Sequence, residues 1–257
     1  METPVPCDPA RLFSCLYCGA IALQTLIHQR ELLRFFRTRP ARIYGPPPLL
    51  LGSIPLPFEN ESLFIAAGSG FTLALAIAAA GINPPAALSV ALLCYPFYFR
   101  PVLPHGHIQR KTNLIPMVLI ALIAAPAHAI PLVKLCLALV YLSAGFEKLR
   151  EAGLHWASGQ TLQAYLLEHY LYTDRAPALW LAERPRLCRL LSTAVLGWEL
   201  SFWLILFLPS LTWLYVPIGL GFHAGTSIGM RIHYWVYFCP AYLVFFAPSL
   251  CRLFGHI

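Results

Sequence analysis

An apolar segment of this chain ends in two ionisable residues, Glu147 and Lys148. The chain then continues into a loop that carries Trp156 and Gly159. Ionisable side chains at membrane depth are costly to bury, and they therefore mark candidate functional sites. A lysine that is withdrawn from water into an apolar site loses its proton more easily and can then act as a base. The pattern therefore predicts Lys148 as a candidate catalytic base at the end of a helix.

Two more ionisable residues, Glu199 and His223, stand inside later apolar runs. Histidine can donate or accept a proton near neutral pH. Glu199 can orient Lys148 or His223, or it can hold a proton itself and donate a hydrogen bond. We expect the three residues to line one pocket. Aromatic side chains that could sandwich a flat apolar molecule such as a quinone are dense nearby: Trp198, Phe202, Trp203, Tyr215, Phe222, Tyr234 and Trp235.

The elements that must position these residues are membrane-spanning helices. Of the 257 residues, 58% are apolar and 11% are charged, and the mean hydropathy is +0.65, which lies outside the range of soluble domains. We predict an all-α fold, a polytopic integral membrane helical bundle that forms a single membrane domain over residues 1–257. Each apolar run approaches the roughly 17–25 residues that cross a bilayer. About eight transmembrane helices are expected, or seven if Gln24 excludes the first, at residues 12–28, 62–81, 84–99, 114–130, 132–149, 190–208, 211–229 and 232–250.

The basic residues indicate the orientation of these spans. They are concentrated in the connections after the first, third, fifth and seventh spans, and the opposite connections hold none. The positive-inside rule therefore predicts that the four long loops face the cytoplasm and that both termini face out. The net charge of +7 then indicates topology and contact with anionic membrane lipid. Nucleic acid is not an expected partner, because the arginines are spread along helix ends.

Residues 158–180 lie in the longest basic connection and show helical spacing. We predict one amphipathic helix at the membrane interface, with its cap near Ser158. A stiff, proline-rich connector is predicted earlier in the chain, at residues 45–57. The apolar face of the amphipathic helix would contain Leu162, Tyr165, Leu166, Tyr170 and Leu171.

Two motifs are similar to those of a known membrane family. Ala144-Gly-Phe-Glu-Lys-Leu149 followed by Trp156-Ala-Ser-Gly159 resembles an AG-x-x-KL…W-x-x-G signature, and Phe222-His223 followed by Ser227-Ile-Gly-Met230 resembles an FH…SIGM segment with a shorter spacing. Both belong to the vitamin K-dependent gamma-glutamyl carboxylase and to the wider HTTM (horizontally transferred transmembrane) family. The resemblance covers a carboxylase-like core at residues 141–245.

The resemblance implies a quinol-dependent enzyme with lyase and oxidoreductase chemistry. Lys148 would deprotonate a reduced quinone of the vitamin K or menaquinol type, whose reaction with oxygen generates a strong base for carboxylation or related oxidative chemistry. His223 and Glu199 would complete the catalytic group, and Trp156, Gly159, Trp198 and Phe222 would bind the cofactor, with no metal. The carboxylase grips its protein substrate with a large extra-membrane region, for which we expect no room in this chain. The expected reaction is therefore the quinol–oxygen half-reaction, and the final substrate would be a peptide or a small hydrophobic molecule. The active site opens to the lumenal side of the membrane in the carboxylase, whereas the basic residues of this chain predict that the matching residues face the cytoplasm.

Structural interpretations compete with this chemistry. Lys148 at a helix C-terminus would favour the helix dipole and could extend to the interface, His223 could be a packing residue, and Trp156 could be an interfacial anchor. The alternative function is therefore a non-enzymatic membrane binding or accessory protein that holds a lipid or a partner. A transporter ranks third, because no inverted repeat is visible.

Three further motifs are weaker. Cys15-x-x-Cys18 has redox spacing but lies within an apolar run, where cysteine behaves as a small hydrophobic residue, as we expect for all eight cysteines. His105-x-His107 lacks a nearby acidic or thiol ligand, so lipid headgroup contact is the expectation. Asn60-Glu-Ser62 is a formal glycosylation sequon.

Overall fold

The computed structural model of the protein describes residues 7–38, 60–99, 113–230 and 235–254. Every element in these ranges is a helix, as the sequence predicts. Short 3-10 helices occupy Pro126–His128, Gly153–Ser158, Phe202–Leu206 and Pro209–Leu211. The α-helices are α1 (Pro9–Thr38), α2 (Glu61–Ala79), α3 (Pro84–Phe99), α4 (Leu114–Ala124), α5 (Ala129–Ala152), α6 (Gln160–Thr173), α7 (Ala176–Ala182), α8 (Pro185–Ser201), α9 (Thr212–Met230) and α10 (Trp235–Phe254).

Five helical stretches in the described ranges are long and apolar enough to cross a membrane. Helices α3 and α4 are apolar but have only 16 and 11 residues. Helix α9 has 19 residues and occupies the seventh predicted span, but it is not among the five. The predicted count of about eight spans therefore stays a prediction. The five stretches are Pro9–Arg34, Glu61–Ala79, Pro126–Ser158, Pro185–Leu206 and Trp235–Leu253.

Several predicted span boundaries differ from the helix ends. The first span was expected to end at residue 28, but α1 continues to Thr38. The fourth span was expected to continue through residue 130 with a bend at Pro126, but α4 ends at Ala124 and Pro126 begins a separate 3-10 helix. Proline lacks an N–H and disfavours the α conformation in the residue before it, which explains this end. The sixth span was expected to begin at residue 190, but α8 begins at Pro185, where a proline at the first helical position is favourable.

The single amphipathic helix predicted over residues 158–180 is also wrong. Helix α6 ends at Thr173, because the next residue, Asp174, adopts the left-handed conformation, and α7 is a separate helix with Pro177 in its first turn. Leu162, Leu166 and Tyr170 do form an inner face, packed with Ala178, Ala182 and Cys188. Tyr165 and Leu171 are instead 40% and 81% exposed, because they project from other sides of α6. The predicted cap at Ser158 is confirmed in part: its hydroxyl accepts from the backbone N–H of Gln160 at 3.3 Å.

The helices fall into two compact units, and each is described by itself. The first unit comprises Met1–Val133 and Pro240–Ile257, and the second comprises Lys134–Cys239. In the first unit, Tyr98 of α3 packs against Gly68 of α2 so closely that an added Cβ would lie 2.6 Å from its ring. Asn60, the sequon asparagine, caps α2 by accepting from the Leu63 N–H at 3.1 Å.

The first unit also contains a disulfide bond, between Cys7 and Cys251. The expectation that all eight cysteines act as small hydrophobic residues is therefore wrong for these two. Cys15 and Cys18, the pair with redox spacing, are both free thiols on α1. The proline-rich connector at 45–57, the two histidines at 105 and 107, and Tyr234 lie outside the described residues.

Candidate functional site

Lys148 and Glu199 form an ion pair between α5 and α8. The Lys148 Nζ donates to both carboxylate oxygens of Glu199 at 2.7 Å. The Lys148 side chain is 19% exposed and the Glu199 side chain is 3% exposed. Charges this far from water are stable only when they are paired, so each residue requires the other. The predicted proximity of these two residues is confirmed.

Gly145 explains how α5 and α8 come close enough for this pair. A Cβ at Gly145 would lie 2.8 Å from the Leu200 Cδ2 atom and 3.3 Å from the Glu199 Cβ atom. Real Cβ contacts essentially never reach the shorter of these distances. A side chain at position 145 would therefore displace the Leu200 side chain and press on the Cβ atom of Glu199, the partner of Lys148 almost one turn further along the same helix.

Trp156, in the 3-10 helix after α5, lies over the Lys148 ammonium group. The Nζ atom is 5.3 Å from the centroid of the indole ring, a distance at which a cation is attracted to the ring face. The indole Nε1–H is buried and has no hydrogen-bond partner among the residues that the structure describes. A buried donor left in this state is costly, and buried polar groups usually have a partner. The donor is therefore available to an oxygen atom that binds beside Lys148.

Gly159 is the last glycine of the motif and is required by geometry. Its φ is +84°, in the left-handed region that favours glycine. A Cβ there would lie 2.4 Å from the backbone nitrogen of Arg189 and 2.6 Å from its Cα atom. Gly145, Lys148 and Gly159 thus all contact α8, and Trp156 covers the lysine. The residues of the AG-x-x-KL…W-x-x-G motif form one contact region between α5, its following loop and α8.

His223 belongs to a second polar pair, with Tyr141. The Tyr141 hydroxyl and the His223 Nε2 are 2.7 Å apart, and His223 is 2% exposed. Tyr141 is seven residues before Lys148 on α5, about 10 Å along the helix axis. The structure thus contains two polar pairs, one after the other along α5, and a single pocket lined by Lys148, Glu199 and His223 stays a prediction.

An aromatic cluster surrounds the second pair. The Tyr141 ring centroid lies 4.5 Å from that of Trp198 and 4.6 Å from that of Phe202. Phe222 packs on Trp198 at 5.8 Å, and the Trp198 indole N–H donates to the carbonyl of Tyr215 at 3.2 Å. Trp203 and Trp235, which were expected near the site, are 40% and 39% exposed. The aromatic cluster consists of Tyr141, Trp198, Phe202, Phe222, His223 and Phe238.

Tyr141 is the site residue that sequence reasoning missed. It is 3% exposed, and its hydroxyl lies 2.7 Å from the His223 Nε2 atom. Its spacing from Lys148 could have identified it, because residues seven positions apart lie on nearly the same face of an α-helix. A buried tyrosine usually has a hydrogen-bond partner, and His223 meets that requirement.

A cleft opens beside the loop that carries Trp156. It has a volume of about 480 Å³ and lies between the 3-10 helix Gly153–Ser158 and the first turns of α8. Thr193 closes its base by donating from its hydroxyl to the Ala157 carbonyl at 3.2 Å. The lining residues are Leu154, His155, Ala157, Ser158, Arg189 and Thr193.

Comparisons of the chain with protein-family models, with curated proteins and with solved structures give no match. The family resemblance therefore rests on the motif residues themselves, whose contacts are described above.

Proposed function

We propose that this chain is a multi-pass integral membrane enzyme that uses the Lys148–Glu199 pair to remove a proton from a reduced quinone. The observation that carries the proposal is the nearly buried ion pair beneath Trp156, with an unused hydrogen-bond donor beside it. The similarity of the surrounding motif to the HTTM and carboxylase signature supports the same chemistry. A bundle of about eight spans is part of this proposal.

Lys148 can act as a base only after its own proton has moved. Glu199 is the acceptor, since both of its oxygens lie 2.7 Å from Nζ. Transfer of the shared proton from Nζ to the carboxylate would convert the ion pair into a neutral amine and a carboxylic acid. One proton shared in this way would leave the Lys148 amine free to accept a second proton from a substrate hydroxyl.

The residues present fit a quinone-type molecule. The buried Trp156 Nε1–H can donate to a ring oxygen, and the indole face and the aromatic cluster offer flat apolar surfaces. Trp156, Trp198 and Phe222 would hold the ring, and Gly159 would position Trp156 through its contact with α8. When bound, the reduced quinone would supply four electrons to O2, of which one oxygen atom would enter the epoxide and the other would leave as water. His223 would hold Tyr141 in place, as the 2.7 Å bond between them requires.

A second candidate function has its own support. The Lys148 ammonium is already satisfied by Glu199, as expected for a structural ion pair that fixes α5 against α8. The chain would then be a non-enzymatic membrane protein that binds a lipid or stabilises a partner. The two functions make opposite predictions for a variant in which both members of the pair are replaced by apolar residues.

The deciding experiment measures quinone epoxide by mass spectrometry after reduced menaquinone-type quinone and oxygen are supplied to the purified protein. Lys148→Ala should lower epoxide formation by about 10²–10⁴-fold, the contribution of a positioned base. Lys134→Ala, on the same helix, is the matched control and should retain the wild-type rate.

Loss of folding must be separated from loss of chemistry. Removing one member of a buried pair typically costs about 3–5 kcal/mol, whereas replacing both with apolar residues is close to neutral. The double variant Lys148→Met with Glu199→Leu should therefore regain a near wild-type melting temperature and still form no epoxide. Absence of epoxide from the wild type, or equal amounts from wild type and Lys148→Ala, would exclude the enzyme. If the double variant still bound the lipid or the partner as the wild type does, the non-enzymatic function would be favoured.

A further inference from the structure

The cleft between Gly153–Ser158 and α8 has the composition of an anion site. Arg189 and His155 lie on facing walls, and both are exposed. Neither side chain makes an ion pair or hydrogen bond in the part of the chain that the structure describes. Ser158 adds a hydroxyl group to the lining, whereas the Thr193 hydroxyl donates to the backbone carbonyls of Ala157 and Arg189. A cationic wall with a hydroxyl group beside it favours a ligand that has several acceptor oxygens and a negative charge.

The start of α8 strengthens this preference. Arg189 is in the second turn of the helix, whose N-terminal end carries a partial positive charge. Arginine presents several N–H groups in a planar fork that suits two oxygens of one phosphate group. The backbone of Arg189 is fixed by its contact with Gly159, so the position from which the side chain extends is rigid.

The surroundings favour a lipid as the source of that anion. Leu154, on the rim of the cleft, is 81% exposed, and Leu190, next to Arg189, is 64% exposed. Exposed leucines beside a cationic cleft suit a membrane interface, where acyl chains lie on one side and headgroups on the other. The basic connection that contains Arg189 is also the one predicted to face the anionic cytoplasmic leaflet.

We propose that this cleft binds a phosphate group, supplied by the headgroup of an anionic phospholipid, through Arg189 and His155. The site is separate from the Lys148–Glu199 pair, and the proposal does not depend on quinone chemistry. Its volume of about 480 Å³ lies within the range of small-molecule sites.

The test is a titration of purified protein with dioctanoyl phosphatidylglycerol, followed by thermal shift and by native mass spectrometry. Dioctanoyl phosphatidylcholine and inorganic phosphate are titrated in parallel. Arg189→Gln should weaken binding of phosphatidylglycerol by about tenfold, and His155→Gln should weaken it by a smaller factor. Arg186→Gln is the matched control, because it removes the same charge from an exposed residue of the same helix that does not line the cleft; it should change the affinity less than about twofold.

The outcomes separate a site from general surface charge. Selective binding of phosphatidylglycerol, lost in Arg189→Gln, supports a lipid headgroup, and equally tight binding of inorganic phosphate would support free phosphate as the source. Equal weakening by Arg189→Gln and Arg186→Gln would show that only net charge matters, and would overturn the proposal. So would unchanged affinity in both cleft variants. Because these side chains are exposed, the melting temperatures of the ligand-free variants should match the wild type.

Discussion

Gly159 has no functional group, yet it controls where Trp156 lies. Its positive φ alone costs a residue with a side chain about 1–2 kcal/mol. The added Cβ would also lie 2.4 Å from the backbone nitrogen of Arg189, which cannot move away as a flexible side chain would. The loop would have to separate from α8, and the indole ring would then leave the Lys148 ammonium.

Gly159→Ala should therefore be far more damaging than the same change at Gly153. Gly153 lies at the start of the same loop with φ +56°, but nothing stands within 4 Å of its added Cβ. We expect Gly153→Ala to cost about 1 kcal/mol, and Gly159→Ala to cost a further 1–3 kcal/mol or so from overpacking. Thermal unfolding in detergent measures both. Equal shifts in melting temperature would mean that the contact with Arg189 does not constrain the loop.

The residue types in the sequence predicted which residues belong to the candidate site better than they predicted which of these residues pair with each other. Lys148 and Glu199 were predicted from their cost in an apolar run, and the structure joins them at 2.7 Å. His223 was assigned to the same pocket without a partner, and the structure shows that it bonds to Tyr141. A single sequence gives the face on which a residue lies along one helix, whereas the rotation of one helix against another depends on packing at residues such as Gly145.

At the scale of elements, proline marks several helix starts but does not by itself mark helix ends. Pro126 and Pro185 begin helices, whereas Pro96, Pro217 and Pro240 lie inside them. Neighbouring helices in a bundle can satisfy the backbone groups that a proline frees. The positions of the apolar helices were therefore predictable from hydropathy, and their boundaries were not.

The break between α6 and α7 depends on the backbone of Asp174, whose φ is +50°. Glycine adopts this left-handed conformation without steric cost, whereas alanine does so least easily of the three residues. Asp174→Gly should raise the free energy of unfolding by up to about 1 kcal/mol, and Asp174→Ala should lower it by a similar amount. The melting temperature measures both changes. Both variants remove the same charge, so loss of charge cannot explain why one variant is stabilised and the other is destabilised. A stabilising Ala variant would indicate instead that α6 and α7 can join into one helix.

For the whole molecule, the disulfide gives orientation a second, independent line of support. Cys7 precedes α1 and Cys251 lies near the end of α10, in the segments that the basic residues predict to face out. Disulfides persist in oxidising compartments and are rare in the cytosol. We therefore expect both segments to face the oxidising side of the membrane.

The disulfide therefore makes a prediction about both stability and topology. Cys7→Ser should lower the melting temperature by the equivalent of about 2–4 kcal/mol, because the bond constrains a very long loop of the unfolded chain. Cys15→Ser, which removes a free thiol from α1, is the control and should change it little. In sealed vesicles of native orientation, a membrane-impermeant maleimide should label positions 7 and 251 only after an impermeant reductant has been added outside. Labelling that requires opening of the vesicles would place these segments inside and would reverse the predicted topology.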